Sequence, residues 1–490
     1  MKWNKNVIKV VCYGLIFCVL FINLQGVFQA KWEEDTCSYE RIKQFYNTEP
    51  IDVVFIGSSH IHYSVNPLLL YKGQGISSHN FSSAGQDSSI AFLYVKEALK
   101  KDPKVIVLDV LGLKFWAISE SQHRKGIDPL PISIDKLRQV QYIFSRNEKY
   151  QQNVEYGSFV SYIFPFLRYH DRWKELQQED FDLENNIYVD AYHGYAPHYQ
   201  TVKADFSEYN KMPNIKPELL NEQKQLYKQI VQICEENNVE LLLVKSPSPL
   251  WRAEYHQIIM EWAEEFNVPF IDYNNYMEEL NIQAGKDFCD ETSHLNDIGA
   301  TKMTIHLGEY LKQKYNLTDH RGEAEYASWD DDWNIYQQDK AAYFLSHENE
   351  LVAYLEKLKN PNYTVYITAK DSLGGDRYPA LIEKLQSFGL AAKLLGKGRI
   401  CYQAILNDGT VIYEKLSDEA LTYQTELNRH KIKLVSKSYN VGNVGSIQID
   451  HEEYFVNKRG LGFVVYDNLL GEVVDSVTFD IYDGGKAYRN

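Results

Sequence analysis

A serine that follows a predicted buried strand is the first feature of this sequence that could do chemistry. The apolar run 53–56 ends at Gly57 and is followed directly by Ser58 and Ser59. In an open α/β sheet, ligands bind beyond the carboxyl ends of the strands, so a serine at this point is well placed to attack a substrate. Because a hydroxyl is a weak nucleophile, it needs a base within hydrogen-bond reach. The fold therefore has to bring a base to this strand end.

A histidine late in the chain is the matching base. The segment 290–296 reads Asp-Glu-Thr-Ser-His-Leu-Asn, and its histidine, His294, stands just before a predicted helix. An acidic residue one helical turn before a histidine can orient the ring and stabilise the imidazolium that forms when the ring takes a proton. Asp290 and Glu291 are both candidates for this acid. The pattern predicts nucleophilic acyl chemistry, for which no cofactor is expected.

Short apolar runs alternate with longer helical patterns through residues 52–315, and these elements have to position the reacting groups. Besides the run before Gly57, strands are predicted over 105–108, 241–244 and 269–272. Helices are predicted over 90–100, 219–237 and 298–315. Continuous apolar strands separated by helices are typical of a parallel sheet that is covered by helices on both faces. The expected fold class is therefore α/β, with a doubly wound, mostly parallel sheet.

The first thirty residues carry a predicted membrane anchor. Three lysines precede and enter the apolar run 7–28, and acidic residues follow it. A helix over this run would reach about 33 Å, which is enough to span a bilayer. The positive charge before the run places the N-terminus in the cytoplasm and the rest of the chain outside. A cleaved signal peptide is the alternative; we favour an uncleaved single-pass anchor because Phe28 stands where a cleavage site requires a small residue.

The composition argues against several other classes of partner and site. The formal net charge of −16 disfavours a nucleic-acid partner, because phosphate binding requires a basic surface. The cysteines outside the apolar run are single and scattered, which is neither a disulfide framework nor a zinc-site spacing. An exported domain could hold one disulfide, which the sequence does not identify. No third ligand stands at a convincing spacing beside His60 and His62, so no metal site is expected.

Five segments, taken in order, resemble the SGNH (GDSL-like) hydrolase superfamily, and more narrowly its exported branch with the DltD-like and alginate-acetylation proteins. These segments are 52–67, 80–86, 105–109, 244–249 and 294–300. The resemblance implies that Ser59 is the nucleophile, with Ser58 in place of the family's usual Asp, and that His294 is the base. It also implies an oxyanion hole formed by the backbone N–H groups of Ser59 and Gly85.

The sequence departs from the pattern of this family at two points. The family's acid usually stands three residues before the histidine, where this chain has Glu291. We favour Asp290, because Asp is the family's residue and a loop can slide by one position. The family's third segment often brings an Asn to the oxyanion hole, and no clear Gly-x-Asn follows residues 105–109. The hole therefore has two donors, or takes a third from an insertion.

The remaining regions complete the expected organisation. After the anchor (1–30), residues 31–316 form the hydrolase-like domain, in which the Tyr-rich stretch 115–215 is an insertion that shapes a substrate groove or forms a helical cap. The polar, acidic stretch 317–350 is expected to be a linker. Residues 351–490 show one helix and then short alternating runs with Asn-Asp-Gly and Asp-Gly-Gly turns, which predicts a compact, β-rich α+β domain.

Part of this last domain resembles a second family. Within 433–482, a core strand begins Arg459-Gly460-Leu461 and a later strand ends in Phe-Asp, as in the ILEI/PANDER-like domain. Residues 365–367 with the helix 378–388 look like the other half of that domain in swapped order. The resemblance implies carbohydrate binding, of a sugar or surface polymer. A folded spacer or dimerisation module is the alternative, since fold does not fix function.

These observations predict a membrane-anchored, extracellular serine esterase or O-acyltransferase that acts on a cell-surface polysaccharide or wall polymer. The anchor resembles the arrangement in which such proteins work beside a membrane-bound O-acyltransferase. Substrate contacts are assigned to His60, Gln86 and Lys245, although Lys245 would also suit a solvated strand end. The alternatives are a non-catalytic surface glycan-binding or assembly factor, and a phospholipase or thioesterase with an apolar acyl channel.

Overall fold

The computed structural model describes residues 5–28, 38–113, 119–150, 157–181, 191–206, 217–291, 294–372, 379–390 and 398–489. The chain divides into two compact units, Met1–Trp333 and Asn334–Asn490. The first unit contains a parallel sheet with helices, and the second contains two antiparallel sheets. The prediction of an α/β fold followed by a separate β-rich region is therefore confirmed.

Five strands form the parallel sheet of the first unit. They are β1 (Val53–Gly57), β2 (Ser78–Ser82), β3 (Val105–Asp109), β4 (Glu240–Lys245) and β5 (Phe270–Asp272). Their order is β2-β1-β3-β4-β5, and every neighbouring pair is parallel. The chain first moves to one side of β1 and then returns to its other side. This reversal of strand order opens a crevice at the carboxyl ends of β1 and β3, where such sheets bind ligands.

The first unit also contains helices α1 to α12 and the start of α13. Some of them cover this sheet and others, such as α1, do not: α1 (Lys5–Phe28), α2 (Ser38–Asn47), α3 (Ser59–Ser64), α4 (Pro67–Gln74), α5 (Ser88–Ala98), α6 (Glu120–Ile127), α7 (Ile134–Tyr150), α8 (Phe159–Ile163), α9 (Phe166–Tyr169), α10 (Pro217–Glu236), α11 (Ala253–Phe266), α12 (Asp297–Lys314) and the start of α13 (Ser328–Ser346). Successive residues of a strand point to opposite faces, so Val54 and Ile56 join the core with α5 and α10, while Val53 and Phe55 join the core with α4 and α12. Both faces of the sheet are therefore buried.

The apolar run near the N-terminus is helical throughout its described length. Residues Val11–Phe28 of α1 are long and apolar enough to cross a membrane, judged by length and composition. The anchor prediction requires such a helix.

The region 115–215 is only partly an appendage. Val140 and Ile143 of α7 are buried in the same core as α5 and α10. This part of the insertion is therefore a component of the core of the first unit.

The stretch 317–350, expected as an acidic linker, instead contains the 19-residue helix α13. Its acidic residues Asp330 and Asp331 stand in the first turn, where the helix dipole favours negative charge. Trp329 is buried and stacks on His193 with ring centroids 3.7 Å apart, and Asp332 Oδ2 lies 3.0 Å from His193 Nε2. The acidic composition predicts a solvent-exposed stretch. It gives no information on contacts with His193, which lies 139 residues before Asp332 in the sequence.

The second unit is a two-sheet structure with helices on one side. Its strands are β6 (Tyr363–Lys370), β7 (Cys401–Asn407), β8 (Thr410–Ser417), β9 (Leu421–Leu427), β10 (His430–Lys437), β11 (Val444–Ile449), β12 (Glu452–Glu453), β13 (Gly460–Asp467), β14 (Glu472–Asp480) and β15 (Lys486–Arg489), and its helices are α14 (Leu351–Lys357) and α15 (Pro379–Ser387). One sheet has the order β15-β14-β13-β6-β7-β8 and the other β12-β11-β10-β9. One core lies between the sheets, and a second lies between the larger sheet and the two helices.

The absence of a side chain at Gly57 allows β1 to end against β3. A Cβ at this position would lie 2.6 Å from Asp109 Cβ and 2.8 Å from Ile61 Cγ1. We expect Gly57→Ala to destabilise the protein by about 2–4 kcal/mol, because the strand end and α3 would have to move apart. Thermal unfolding followed by circular dichroism measures this effect.

Gly73→Ala in α4 is the matched control, since a Cβ at Gly73 meets no atom within 4 Å. It should leave stability unchanged or raise it by about 0.5–1 kcal/mol, because alanine favours helix over glycine. Equal unfolding midpoints for Gly57→Ala and the wild type would contradict the packing argument.

Candidate active site

Ser59 is positioned by the turn between β1 and α3. Ser58 has an extended backbone and caps the helix: its hydroxyl accepts from the N–H of His60 at 3.3 Å and donates to Asp109 Oδ2 at 3.3 Å. Ser59 is then the first residue of α3, where a backbone N–H has no carbonyl of a preceding turn to pair with. The cap therefore places both the hydroxyl and the N–H of Ser59 just beyond the carboxyl end of β1.

His294 is held by a short hairpin that precedes α12. Phe288 and Leu295 form an antiparallel bridge, and the N–H of Cys289 donates to the carbonyl of His294 at 3.0 Å. Asn296 then caps α12 with its side-chain oxygen. The bridge and the cap therefore hold the backbone on both sides of His294.

The predicted nucleophile, base and acid form a continuous hydrogen-bonded chain. Ser59 Oγ lies 2.7 Å from His294 Nε2, and His294 Nδ1 lies 2.5 Å from Asp290 Oδ2. The other oxygen of Asp290 accepts from the backbone N–H of His294 at 3.2 Å. A carboxylate can only accept, so Nδ1 carries the ring hydrogen and Nε2 accepts from the serine hydroxyl. This is the protonation pattern that a serine nucleophile needs.

The hairpin brings Asp290, and not Glu291, to the histidine. The Glu291 residue is exposed, and its backbone carbonyl accepts from the N–H of Asp205 at 2.8 Å. That bond fixes the chain directly after Asp290, which leaves Asp290 on the side of the ring. Asp290, the acid favoured from the sequence, is therefore the one that contacts His294.

The buried side chains of Lys245, His60 and Asp109 lie beneath Ser59, inside the protein. The side chain of Lys245 is fully buried at the end of β4, where its Nζ donates to the carbonyl of Ser246 at 2.6 Å and to His60 Nδ1 at 3.2 Å. The ring centroid of His60 lies 5.0 Å from that of His294. Burial lowers the pKa of the Lys245 ammonium and raises the pKa of the Asp109 carboxyl, and the attraction between these two groups opposes both shifts.

The assignment of substrate contacts to His60, Gln86 and Lys245 requires correction. Their exposed fractions are 2%, 1% and 0%, so they present almost no surface to a ligand. The amide of Gln86 instead donates to Ser83 Oγ at 3.3 Å. All three side chains are therefore directed into the protein, and those of His60 and Lys245 contact each other.

Gly85 lies in the turn that follows β2, on the same edge of the sheet as Ser59. The turn is joined to the end of β1 because the N–H of Ser83 donates to the carbonyl of Gly57 at 3.2 Å. Gln122 of α6 covers the turn: its Nε2 lies 2.5 Å from the position that a Cβ of residue 85 would take. The insertion thus contributes a side-chain amide beside Gly85.

Two aromatic residues at the site, Tyr63 and His198, escaped the sequence analysis. The ring of Tyr63 packs edge-on against His294 and tilted against His198, both with centroids 4.6 Å apart. His198 belongs to the segment 191–206, which crosses the site: the carbonyl of His62 accepts from Ala196 N–H, and the carbonyl of His198 accepts from Asp297 N–H, both at 2.7 Å. Tyr63 lies inside the segment 52–67 but was not singled out, and His198 belongs to no motif, so neither ring was predicted to contact His294.

The histidines near the nucleophile are bound to protein groups. His62 Nδ1 lies 2.9 Å from Ser82 Oγ, and His79 Nε2 lies 3.1 Å from the carbonyl of Arg41. Burial holds the pKa of His62 well below its usual value and lowers the pKa of His79 to about 3. Among the described residues, no three His, Cys, Asp or Glu side chains are placed to hold a metal ion.

The comparisons with known proteins give structural likenesses alone. No protein-family model matches the sequence, and no curated protein matches it. A GDSL-like lipase from Bacteroides thetaiotaomicron is similar in structure with a TM-score of 0.28 at 10% identity, over 56% of this chain and 98% of the lipase. A protein described as an acylhydrolase from Bacteroides fragilis has a TM-score of 0.27 at 11% identity, over 56% of this chain and 94% of its own.

The two adjacent acids of the hairpin allow a sharp test of the site. We expect Asp290→Asn to slow the labelling of Ser59 by a fluorophosphonate by roughly 10³–10⁴-fold, because an amide at this position favours the wrong ring tautomer. Glu291→Gln should leave the labelling rate within about twofold of the wild-type rate, since Asp290 and not Glu291 orients the His294 ring. Time courses of labelling measure both rates. A larger loss of rate in Glu291→Gln than in Asp290→Asn would contradict the assignment of Asp290 as the acid.

Proposed function

We propose that this chain is a membrane-anchored serine acyl-esterase or O-acyltransferase that acts outside the cell on a surface glycan or wall polymer. The observation that carries the proposal is the chain of hydrogen bonds from Ser59 through His294 to Asp290, with distances of 2.7 and 2.5 Å. A hydroxyl, a ring nitrogen and a carboxylate in this order are what activates a serine for attack on an acyl ester.

The reaction proceeds through an acyl-enzyme. Ser59 Oγ attacks the acyl carbonyl carbon while His294 Nε2 takes the hydroxyl proton, and Asp290 stabilises the imidazolium. Collapse of the tetrahedral intermediate breaks the ester bond, and His294 returns the proton to the departing alcohol oxygen. A second hydroxyl, of water or of a sugar, then loses its proton to His294 and takes the acyl group, and His294 returns that proton to Ser59 Oγ as the acyl-enzyme ester bond breaks. Water makes the protein an esterase, and a sugar makes it a transferase.

The oxyanion of the intermediate would be stabilised by backbone N–H groups. Ser59 supplies one as the first residue of α3, and Gly85 is proposed to supply another. The amide of Gln122, which lies beside Gly85, is the side chain from the insertion that we propose as a third donor. It would stand in for the family's Asn, whose pattern the sequence lacks.

The surroundings of the catalytic histidine favour a polymeric or sugar substrate. The side chain of His294 is 21% exposed and that of Asp290 is 37% exposed, so the chain of hydrogen bonds opens to the surface. Tyr63 and His198 present flat rings beside His294. Such rings can pack against the apolar face of a sugar while its hydroxyls remain in water.

The catalytic proposal is tested with wild type, Ser59→Ala and His294→Ala. We expect the wild type to react with a fluorophosphonate and to hydrolyse p-nitrophenyl acetate, and each variant to lose at least ~10³-fold in rate, because nucleophile and base act as a unit. Circular dichroism controls for folding. If folded wild type is as inert as the variants, the serine mechanism fails in free solution.

Hydrolysis and transfer are separated by the fate of the acyl group. Acyl-enzyme formed with a short acyl donor is offered a panel of sugars and surface polysaccharides, and products are read by mass spectrometry. Acylated sugar that depends on Ser59 indicates a transferase. Release of free acid alone, at every sugar concentration, indicates an esterase.

A second candidate function, glycan binding without catalysis, is favoured by a polar groove in the second unit. The groove has a volume of about 570 Å³ and is lined by Gln424, Thr425, Glu426, Lys431, Ile432, Lys433, Gln448 and His451. Amide, carboxylate and ammonium groups are suitable partners for sugar hydroxyls.

We expect Lys431→Ala to weaken retention on immobilised surface polysaccharide by about tenfold, the loss of roughly 1.4 kcal/mol expected for a hydrogen bond to a charged group. Lys486→Ala, an exposed lysine on β15, is the control. Equal retention of both variants would exclude the groove as the binding site. Binding by the inert Ser59→Ala variant separates this function from catalysis.

A further inference from the structure

Large apolar side chains are concentrated on the surface of residues 159–181, which we call the interface segment. It contains α8, α9 and two short 3₁₀ turns, His170–Lys174 and Gln178–Phe181. Its exposed apolar side chains, with their exposed fractions, are Phe159 (37%), Val160 (47%), Leu167 (47%), Trp173 (63%) and Phe181 (56%). A concentration of this kind on the surface marks a site that contacts another apolar phase.

The interface segment also packs against the end of the apolar helix α1. The ring of Phe21 lies 5.3 Å from Phe164, and the ring of Phe28 lies 5.1 Å from Phe166, both edge-on. The N–H of Phe166 donates to Gln25 Oε1 at 2.8 Å. The side chain of Gln25 therefore accepts a hydrogen bond from the segment, which explains why a polar residue stands inside an apolar helix.

These contacts fix the depth of the segment relative to α1. Phe21 precedes Phe28 by two helical turns, which correspond to about 10 Å along the helix axis. When α1 spans a bilayer and Phe28 marks the outer end of its apolar run, the ring of Phe164 lies at the level of the outer acyl chains. Interfacial helices bury their apolar faces about 5–10 Å below the headgroups, which is the same depth.

We propose that the interface segment inserts its exposed apolar side chains into the outer leaflet of the lipid bilayer that α1 spans. The inference rests on the anchor in the proposed function and is independent of the reaction at Ser59. Trp173 has the side chain that favours the headgroup level, and Lys174 Nζ lies 5.2 Å from its ring centroid. Arg172 donates to the carbonyl of Phe28, the last residue of α1, at 3.0 Å.

The attraction is apolar and does not depend on lipid charge. The basic and acidic residues of the interface segment nearly balance: Arg168, Arg172 and Lys174 against Asp171, Glu175, Glu179 and Asp180. The whole chain has a formal net charge of −16. Anionic headgroups would therefore add no attraction, and burial of apolar surface is the source of affinity.

The test uses the full-length chain in vesicles of neutral phosphatidylcholine. The photoreactive residue p-benzoylphenylalanine replaces Leu167 or Trp173, and lipid adducts are quantified by mass spectrometry after irradiation. Ile305 on α12 is the control position, because it is 49% exposed and so matches the 47% of Leu167. We expect at least ~10-fold more lipid adduct at positions 167 and 173 than at 305, as interfacial burial implies, and no increase when anionic lipid is added.

Each other outcome overturns the proposal in a different way. Equal adduct yields at all three positions would show that the segment does not reach the acyl chains. Cross-links between two protein chains in place of lipid adducts would make the surface a dimer interface. Failure of the chain to float with the vesicles would remove the anchor itself. Fluorophosphonate labelling of Ser59 in the same vesicles is recorded separately, so a failure of catalysis leaves the lipid result readable.

Discussion

The hydrogen bond between Ser59 Oγ and His294 Nε2 is the constraint on which the arrangement of the first unit depends. It joins residues 235 positions apart over 2.7 Å, so two independent elements must end at the same point. One is the strand β1, which stops where Gly57 passes Asp109, and the other is the hairpin closed by Phe288 and Leu295. The strand reversal around β1 leaves the crevice between them open to a substrate.

The site is held from behind by charge rather than by apolar packing alone. A lysine without any exposed surface is costly to bury unless its charge is paired and its hydrogens are bonded. Lys245 meets both conditions through the attraction of Asp109 and its bonds to Ser246 and His60. Asp109 in turn accepts from Ser58, the residue that caps the nucleophile's helix. Removal of one of these side chains would therefore leave another buried polar group without its partner.

Most strands of the parallel sheet and the residues Ser59, His294 and Asp290 could be predicted from the sequence, and the features that were missed share a cause. Apolar runs reveal strands whose both faces are buried, which is why β1, β3, β4 and β5 were predicted. The strand β2 reads Ser-His-Asn-Phe-Ser and was missed, although all five residues are buried. Two of its polar side chains bond to distant groups: His79 Nε2 lies 3.1 Å from the carbonyl of Arg41, and Asn80 Nδ2 donates to that of Val65 at 2.7 Å. The same holds for His198, whose importance depends on a tertiary contact with Tyr63.

The helix α6 links the interface segment to the nucleophile's side of the site. At its start, Gln122 covers the turn at Gly85. Two residues on, the guanidinium of Arg124 lies 3.5 Å from the ring centroid of Tyr162 and donates to the carbonyl of Ser161 at 2.9 Å. Just beyond its end, Asp128 accepts from the hydroxyl of Tyr169 at 2.8 Å. If the interface segment lies in the outer leaflet, this helix sets the height of the active site above the membrane.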